Sequence, residues 1–310
     1  MKGMAAAAKG PMNCDLTIGI PVRNEEESIG KCLRAVLASD LPTHTEIVVC
    51  DNASTDMSMA YVREFDDERM RIVQESTLGK VFAMNSIIEH SKSEYIIFCD
   101  ADVLPAKDTF IKMRERLVDS DLHAVGINLL DVSKDAFFQW WYRQMAKIEK
   151  DELANNCMGG CFGIQKRRFG KFPPVLSTDF YMSAYYHYGN GKCVRFDDIH
   201  AFYKRANTFK DVLMKKIRNR LKYLQIKLTH ADLAGFQYEP PVDYRRLTKN
   251  LSFATFVAFL FYAFFETVAF IVGTAIFIVK FRRIGYSWRK ARSTKLQDVD
   301  PAALPEVLDA

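Results

Sequence analysis

The N-terminal third of the chain alternates between apolar runs with strand character and stretches with helical spacing. Four apolar runs, DLTIGIPV, TEIVVCD, MRIVQ and SEYIIFCD, occupy residues 15–22, 45–51, 70–74 and 93–100. Between the first two, apolar residues recur every three or four positions, which predicts a helix containing Ile29, Cys32, Leu33, Val36 and Leu37. Alternating strands and helices predict an α/β fold with a mostly parallel, helix-covered central sheet of Rossmann-like type.

Polar side chains follow three of these strands at the points where the strands end. Arg23 follows the first strand, Asp51 and Asn52 end the second, and Asp100 and Asp102 follow the fourth. In parallel sheets, ligands bind beyond the carboxyl ends of the strands. The sequence therefore predicts a binding site at this edge of the sheet.

Asp100 and Asp102 are separated by a single alanine in the stretch FCDADVLP. Two carboxylates this close repel each other, and both stay ionised only beside a cation. Mg²⁺ and Mn²⁺ favour carboxylate and phosphate oxygens, so a metal ion that bridges these aspartates to a diphosphate is one interpretation. The alternative is a solvated turn rich in aspartate.

Residues 251–279 form a long apolar run with a single charged residue, Glu266. About 20 apolar residues suffice to cross a bilayer, so the run predicts a C-terminal helix that spans or re-enters a membrane. Basic residues flank both of its ends, so the positive-inside rule does not fix its orientation. Glu266 is expected to pair with a polar partner or stay protonated, and a homo-oligomer through this helix would supply a partner.

The net charge of +5 is too small to predict nucleic-acid binding, and no nucleic-acid partner is expected. The seven cysteines include no C-x-x-C pair, which favours reduced thiols in a cytosolic domain.

Two stretches allow more than one interpretation. The basic amphipathic stretch at residues 211–228 predicts a helix on a membrane surface or one packed on its own domain. The aromatic stretch at residues 135–150 suits core packing, a lipid interface or sugar binding.

Seven short segments resemble, in order, the motifs of family-2 glycosyltransferases, which have the GT-A nucleotide-sugar fold. IPVRNEEESI resembles the opening segment, VVCDNASTD the V-D-D-G-S-x-D segment, GKVFAMN the G-K-x-x-A-x-N segment and FCDADVLP the metal-binding D-x-D. MGGCFGIQKRRF resembles G-G-x-x-x-x-x-R, STDFYMS the segment with the catalytic base, and TFKDVLMKKIRN the segment T-F-x-x-F-x-x-Q-R-x-R-W. The resemblance covers residues 15–225.

The resemblance implies donor-side roles for residues of the first two segments. Pro21, Arg23 and Glu25 would line the nucleotide pocket. Asp51 would accept a hydrogen bond from the base or ribose of the donor. Asn52 would lie beside it, at a position where the family more often has aspartate.

The resemblance also implies the residues that act on the sugar and the diphosphate. Lys80 would reach a donor phosphate or the nucleoside, although a surface lysine in the first turn of a helix is the alternative. Asp100 would contact the ribose or sugar and share the metal, of which Asp102 would be the direct ligand. Asp179 would be the general base that deprotonates the acceptor, and its alternative role is a helix N-cap after Thr178.

The last segment departs most from the family pattern. Lys215 and Asn219 replace the usual Gln and Trp, whereas Lys216 and Arg218 keep basic residues where the family holds the donor diphosphate. Processive polysaccharide synthases use this segment to hold the polymer and carry several hydrophobic runs. The sequence therefore predicts transfer of one sugar, without processive synthesis.

These observations predict five successive parts in the chain. A flexible tail at residues 1–14 precedes a GT-A domain at 15–235, whose nucleotide-binding part covers about 15–105 and whose acceptor-side part covers about 106–235. A linker at 236–250, the membrane helix at 251–279 and a basic, then acidic tail at 280–310 complete the order.

The predicted function is inverting transfer of one sugar by a membrane protein whose catalytic domain faces the cytoplasm. The donor is a nucleotide diphosphate sugar, with a UDP-sugar first and GDP- or dTDP-sugars as alternatives, and the cofactor is Mn²⁺ or Mg²⁺. The acceptor is a lipid-linked glycan or glycolipid, such as a polyprenyl-phosphate carrier, in cell-envelope polysaccharide or glycolipid synthesis. Two other classes remain open, a membrane-anchored nucleotidyltransferase-like enzyme and a non-catalytic nucleotide-sugar-binding scaffold.

Overall fold

A computed structural model describes eight stretches of the chain: residues 14–119, 121–148, 159–188, 192–230, 233, 242–280, 294–301 and 304. The predicted N-terminal tail, except Cys14, lies outside the described residues, as do residues 236–241 of the predicted linker and most of the predicted C-terminal tail. The described strands are β1 (Leu16–Val22), β2 (Thr45–Asp51), β3 (Met70–Gln74), β4 (Tyr95–Cys99), β5 (Val103–Pro105), β6 (Ala124–Asp131), β7 (Cys161–Gln165) and β8 (Cys193–Tyr203).

Helices cover both faces of this sheet, as the alternating pattern predicts. The described helices, numbered in chain order, are α1 (Ile29–Ala38), α2 (Ser58–Val62), α3 (Lys80–His90), α4 (Thr109–Val118), α5 (Ala136–Ala146), α6 (Lys166–Phe169), α7 (Thr178–Tyr188), α8 (Phe209–Thr229), α9 (Tyr244–Lys249) and α10 (Phe253–Lys280). The helix α9 lies inside the stretch predicted to be a linker.

The strands form one sheet in the order β3-β2-β1-β4-β7-β6-β8-β5. The strands β3, β2, β1 and β4 are all parallel, and this half of the sheet comes entirely from the first hundred residues. The strand β7 runs antiparallel between β4 and β6, and β5 runs antiparallel to β8. Since β6 and β8 are parallel to each other, the sheet is mostly parallel and the predicted α/β architecture is confirmed.

The parallel half of the sheet is buried on both faces. Every residue of β1 is buried, with Leu16, Ile18 and Ile20 packed beneath α1. On the opposite face α3 lies directly on β1 at Gly19, where an added Cβ would lie 2.5 Å from a methyl carbon of Ile87. This close approach fixes α3, and with it the side chain at its first position, over the end of β1.

A second apolar cluster joins α5, α8 and α10. Phe138 and Trp141 of α5 pack with Val212 of α8 and with Tyr262 and Phe265 of α10. Part of the aromatic stretch is therefore core, as one of its interpretations predicts. The apolar side of α8 also packs on its own domain, which was one of the two interpretations of residues 211–228.

The helix α10 is long and apolar enough over Phe253–Val279 to cross a membrane. Its single carboxylate, Glu266, pairs with Lys216 of α8, so its partner lies in the same chain. The ring of Tyr262 lies 4.3 Å from the same ammonium group. The predicted homo-oligomer is not needed to satisfy Glu266 and stays a prediction.

Residues 294–301, called here the return segment, lie against the N-terminal part of the α/β domain. Lys31 Nζ donates to the carbonyl oxygens of Leu296 and Val299 at 2.7 and 2.6 Å. Leu296 is fully buried in a cluster with Leu104 and Phe202. The chain after α10 therefore lies on the same domain as the chain before it.

Candidate active site

A pocket lies where the parallel strands end, at the edge of the sheet that the sequence predicts. The strands β1, β2 and β4 supply one wall, and α3, α7 and α8 supply the other. The lining residues are Pro21, Val22, Arg23, Glu25, Asn52, Lys80, Ala83, Asp100, Leu176, Ser177, Thr178, Asp179, Arg218 and Lys222. Eight of the eleven predicted site residues are among them, although they are spread over about two hundred positions of the chain.

Asn52 braces the loop that leads into α3. Its amide nitrogen donates to the carbonyl oxygens of Glu75 and Thr77 at 3.0 and 2.7 Å, and its amide oxygen accepts from the backbone N–H of Gly79 at 2.7 Å. Gly79 has φ of 144°, a conformation that favours glycine. Asn52 is 2% exposed, so its amide serves the loop and places Lys80 at the start of α3.

Lys80 joins the two carboxylates of the pocket. Its Nζ lies 2.7 Å from Asp100 Oδ1 and 3.5 Å from Asp179 Oδ1. Asp100 directly follows β4 and Asp179 lies in the first turn of α7, so the lysine links the strand wall to the helix wall. A cation between two carboxylates lets both remain ionised in a partly desolvated site.

Asp179 lies in the first turn of α7, and it is not the cap of that helix. Ser177 Oγ accepts from the backbone N–H of Phe180 at 3.3 Å, which is the capping contact. Burial alone would raise the pKa of Asp179, but the charges of Lys80 and Lys222 outweigh it and hold the pKa below its ordinary value. The carboxylate is therefore ionised at neutral pH and can accept a proton.

Arg218 and Lys222 are four residues apart on α8, so they project from one side of that helix into the pocket. Burial lowers the pKa of Lys222 to about 7, and the nearby charge of Arg218 acts in the same direction. Arg218 Nε and Arg23 Nη1 are buried, and neither has a hydrogen-bond partner among the residues that the structure describes. Unpaired buried donors beside extra cations fit an anionic ligand with several oxygens.

Glu25 lines the pocket and is 1% exposed. Its carboxylate pairs with Lys295 of the return segment, which is itself buried. Ser28 Oγ accepts from the backbone N–H of Leu296 at 3.1 Å, beside this ion pair. The loop after β1 is thus held from outside by a segment about 270 residues later in the chain.

Asp100 and Asp102 offer hard oxygen ligands of the kind that Mg²⁺ and Mn²⁺ prefer. Asp100 lines the pocket, and the half-buried Asp102 acts electrostatically on Arg218, which places it near the same site. Within the described residues, no cluster of three or more His, Cys, Asp or Glu side chains could hold a metal. Two carboxylates fit a metal ion whose coordination is completed by substrate phosphates and water.

Three predicted site residues do not line the pocket. Asp51 Oδ1 accepts from the backbone N–H of Ser54 at 2.9 Å, so it shapes the turn after β2. Asp102 lies outside the lining but near Arg218. Lys216 points to α10, where it pairs with Glu266, and the basic residues of α8 that line the pocket are Arg218 and Lys222. The four-residue spacing from Arg218 was the sequence signal that could have identified Lys222.

The sequence profile of glycosyl transferase family 2 matches residues 17–185 of the chain. Glycosyltransferase AglE of Haloferax volcanii is 34% identical over 118 residues, which cover 37% of this chain and 39% of AglE. The chain thus matches less than half of the length of AglE. A second relative, UDP-Glc:alpha-D-GlcNAc-diphosphoundecaprenol beta-1,3-glucosyltransferase WfgD of Escherichia coli, is 23% identical over 172 residues, 54% of this chain and 67% of WfgD.

Among solved structures, the mannosyltransferase PcManGT from Pyrobaculum calidifontis, in complex with GDP-Man and Mn²⁺, superposes with a TM-score of 0.56. The sequence identity is 21%, and the match covers 86% of this chain and 75% of PcManGT. At this identity the likeness shows a shared fold, the GT-A fold that the motifs imply. With a family match over more than half of its length, the chain belongs to glycosyl transferase family 2.

Proposed function

We propose that the chain is an inverting, non-processive glycosyltransferase that moves one sugar from a nucleotide diphosphate sugar to an acceptor at a membrane. The observation that carries this proposal is the pocket in which Asp100, Lys80 and Asp179 meet in one chain of ion pairs, with Arg218 and Lys222 beside them. Sugar transfer from a diphosphate requires a carboxylate base, cations that stabilise the leaving group, and carboxylates that can bind a metal ion.

Asp179 is proposed as the general base. It accepts the proton of the acceptor hydroxyl as that oxygen forms its bond to the anomeric carbon. The bond from the anomeric carbon to the diphosphate oxygen breaks in the same step, and the diphosphate leaves with the electron pair. A single displacement from the opposite side inverts the anomeric centre. The depressed pKa keeps Asp179 ionised and ready to accept the proton.

The leaving diphosphate gains negative charge in this step, and the cations of the pocket are placed to stabilise it. Lys80, Arg218 and Lys222 line the pocket on the side of α3 and α8, and the unpaired Nε of Arg218 is available to a phosphate oxygen. Asp102 and Asp100 would hold Mn²⁺ or Mg²⁺, which would supply Lewis-acid stabilisation of the diphosphate when bound.

The donor and the acceptor are proposed by analogy with related proteins. WfgD is named for UDP-Glc and for a diphosphoundecaprenol-linked acceptor, and PcManGT was solved with GDP-Man and Mn²⁺. These names support a UDP-sugar first, with GDP- and dTDP-sugars as alternatives, and a lipid-linked acceptor. The apolar α10 supports attachment to a membrane, and six free cysteines among the described residues suit a catalytic domain in the cytoplasm.

Donor binding to the detergent-solubilised protein tests this proposal. UDP-, GDP- and dTDP-sugars are added with and without Mn²⁺, and the shift in Tm is measured together with release of the nucleoside diphosphate. We expect one donor to raise Tm only with the metal ion, and Asp102→Ala to abolish that shift. A protein that binds donor but never turns over would support the scaffold, and no response to any donor would contradict the proposal.

A further inference from the structure

We propose that α10 lies in the plane of the membrane, within one leaflet, and does not cross the bilayer. The surface involved is the outer side of α10, and its partner is the acyl region of a lipid bilayer. This inference rests on the membrane attachment proposed above and specifies its geometry. Three independent observations carry it: what covers the inner side of the helix, what its outer side exposes, and where the chain goes afterwards.

The inner side of α10 packs on the catalytic domain from one end to the other. Near its start, Trp141 Nε1 of α5 donates to the carbonyl oxygen of Ala258 at 2.9 Å. Near its end, Phe277 is buried in a cluster with Leu221 of α8 and Leu176. Because these contacts run along the full length, the helix cannot leave the domain to cross a bilayer without breaking them.

The polar groups of the inner side are also satisfied by the domain. Arg220 Nε donates to Thr274 Oγ1 at 3.3 Å, and the side chain of Arg220 lies on Gly273, where an added Cβ would be 3.0 Å away. Glu266 pairs with Lys216, as described above. If α10 crossed the bilayer in this arrangement, α8 and its row of cations would enter the hydrocarbon with it. Charged side chains are strongly unfavourable there.

The outer side of α10 presents an almost wholly apolar surface. Among its exposed residues, Thr267 is the most polar, and its hydroxyl donates to the carbonyl oxygen of Ala263 in the same helix. No residue of Phe253–Val279 that is exposed carries a charge. The large exposed side chains are Phe253, Phe256, Leu260, Phe261, Phe264, Phe270, Ile271, Val272, Ile278 and Val279. An apolar stripe of this length on a water-facing surface indicates a membrane-binding site.

Residues at the start of α10 suit the lipid headgroups. The short helix α9 exposes Arg245 and Lys249, and Tyr244 is 62% exposed beside them. Basic and aromatic side chains at the edge of an apolar surface favour the headgroup region of an anionic leaflet. The apolar stripe and this basic edge together select a lipid surface over a second protein chain as the partner.

The return segment shows that both ends of α10 are on one side. Lys31 holds three carbonyl groups of this segment, including those of Leu296 and Val299, and Lys295 pairs with Glu25. A helix of 28 residues is about 42 Å long, longer than the roughly 30 Å hydrocarbon core. A spanning α10 would place Lys295 across the bilayer from Glu25, which these contacts exclude.

This placement brings the leaflet surface next to the pocket. Leu176 lines the pocket and packs in the same cluster as Ala269 and Phe277 of α10. A lipid whose acyl chain lies in the leaflet can therefore present a hydroxyl near Asp179 while its tail remains in the membrane. The acceptor class that fits this geometry is an amphipathic lipid with its reactive hydroxyl in the headgroup.

The test measures topology and lipid binding with the full chain. Protease-cleavable tags are added at both termini, and the protein is reconstituted on vesicles of phosphatidylcholine and phosphatidylglycerol. We expect both tags to be cleaved from the same side. A double variant, Phe264→Glu with Ile271→Glu, should reduce the vesicle-bound fraction at least tenfold in flotation. The control, Val118→Glu with Val194→Glu on exposed positions away from α10, should float like the wild type.

Donor binding in detergent, measured on the same proteins, separates the possible failures. Tags cleaved from opposite sides would overturn the in-plane placement and leave the transfer proposal intact. Wild-type protein that does not float would overturn this inference, while donor binding would still support sugar transfer. The double variant should bind donor in detergent as the wild type does, which shows that its fold is kept. Retained vesicle binding by a correctly folded double variant would also overturn the inference.

Discussion

The two walls of the pocket are built in different ways. The strand wall carries Asp100 and Asn52 at the ends of β4 and β2, held by the register of parallel strands and by hydrogen bonds to backbone. The helix wall carries Asp179, Arg218 and Lys222 on α7 and α8, mostly at the ends of long side chains. Short side chains at strand ends are placed by the backbone, whereas long side chains are placed by the rotation and packing of a helix.

The difference between the two walls suggests that one wall positions ligands and the other carries the reacting groups. Under the proposed function the strand wall would position the donor, and the amide of Asn52 in this wall is used by the chain itself. The helix wall holds the groups that would change charge or exchange protons during transfer. Substitutions should therefore act mainly on turnover and pH dependence in the helix wall, and on stability or donor binding in the strand wall.

The largest effect is expected at Asp179, in the helix wall. Asp179→Asn keeps the shape of the side chain but cannot accept the proton, so kcat should fall by about 10²- to 10⁴-fold. The Kd of the donor should stay within about threefold of the wild type. Steady-state kinetics and donor titration measure the two quantities. Asp197→Asn, on a carboxylate exposed to solvent, is the control, and a similar loss there or a loss of donor binding would contradict the assignment.

Lys295→Met should have the next largest effect, on the strand wall. The substitution leaves the buried carboxylate of Glu25 without its lysine, and the free energy of unfolding should fall by about 3 kcal/mol. Donor affinity should fall with it, because the loop after β1 loses its outer support. Chemical unfolding in detergent and donor titration test this.

A double-mutant cycle identifies the cause of that loss. Adding Glu25→Gln to Lys295→Met should recover part of the lost stability, because no uncompensated carboxylate remains. Lys107→Met, on an exposed lysine, should leave stability unchanged. Additive losses in the double variant would show that the two residues do not act as a pair.

Asn52→Ala tests the strand wall as well, with a smaller expected loss of stability than Lys295→Met. The loop before α3 would lose three hydrogen bonds, and the free energy of unfolding should fall by about 1–3 kcal/mol. The side chain of Asn250 donates an exposed hydrogen bond to the carbonyl oxygen of Lys147, so Asn250→Ala should change stability by less than about 0.5 kcal/mol. If the two variants lost equal free energy of unfolding, the buried hydrogen bonds of Asn52 would not stabilise the loop more than the exposed bond of Asn250 does.

The smallest effect is expected in the pH profile, through Lys222. Its pKa near 7 means that its charge is present below pH 7 and is lost as the pH rises through that value. The kcat/KM for the anionic donor should therefore fall several-fold between about pH 6 and pH 8. Lys222→Arg keeps the charge throughout this range and should flatten the profile. An unchanged alkaline limb in Lys222→Arg would assign the titration to another group.

The strand half of the fold was predictable because its signals are local. The apolar runs gave the parallel strands almost to the residue, and their ends gave Asp100 and Asn52. The role of Asn52 was not predictable, because its partners Glu75 and Thr77 lie in a loop whose path no pattern records. A side chain at the edge of a site can form hydrogen bonds with the loop backbone or with the ligand. Its position in the sequence does not distinguish these two roles.

The helix half was predicted less completely, for a geometric reason. Motif resemblance identified Arg218 but assigned a phosphate role to Lys216, which faces α10, and missed Lys222. On a helix with basic residues on most sides, the useful face depends on which neighbours cover the others. Those neighbours, α5 and α10, are distant in sequence, so the rotation of α8 became clear only from the packing.

The ion pair of Glu25 and Lys295 also has a consequence for biosynthesis. The parallel half of the sheet can form while the chain is still being made, since its strands all come from the first hundred residues. Lys295 follows α10 in the chain, so the carboxylate of Glu25 can meet its lysine only after α10 has been synthesised. Nascent chains would therefore hold the loop after β1 without its ion pair until the return segment has been made.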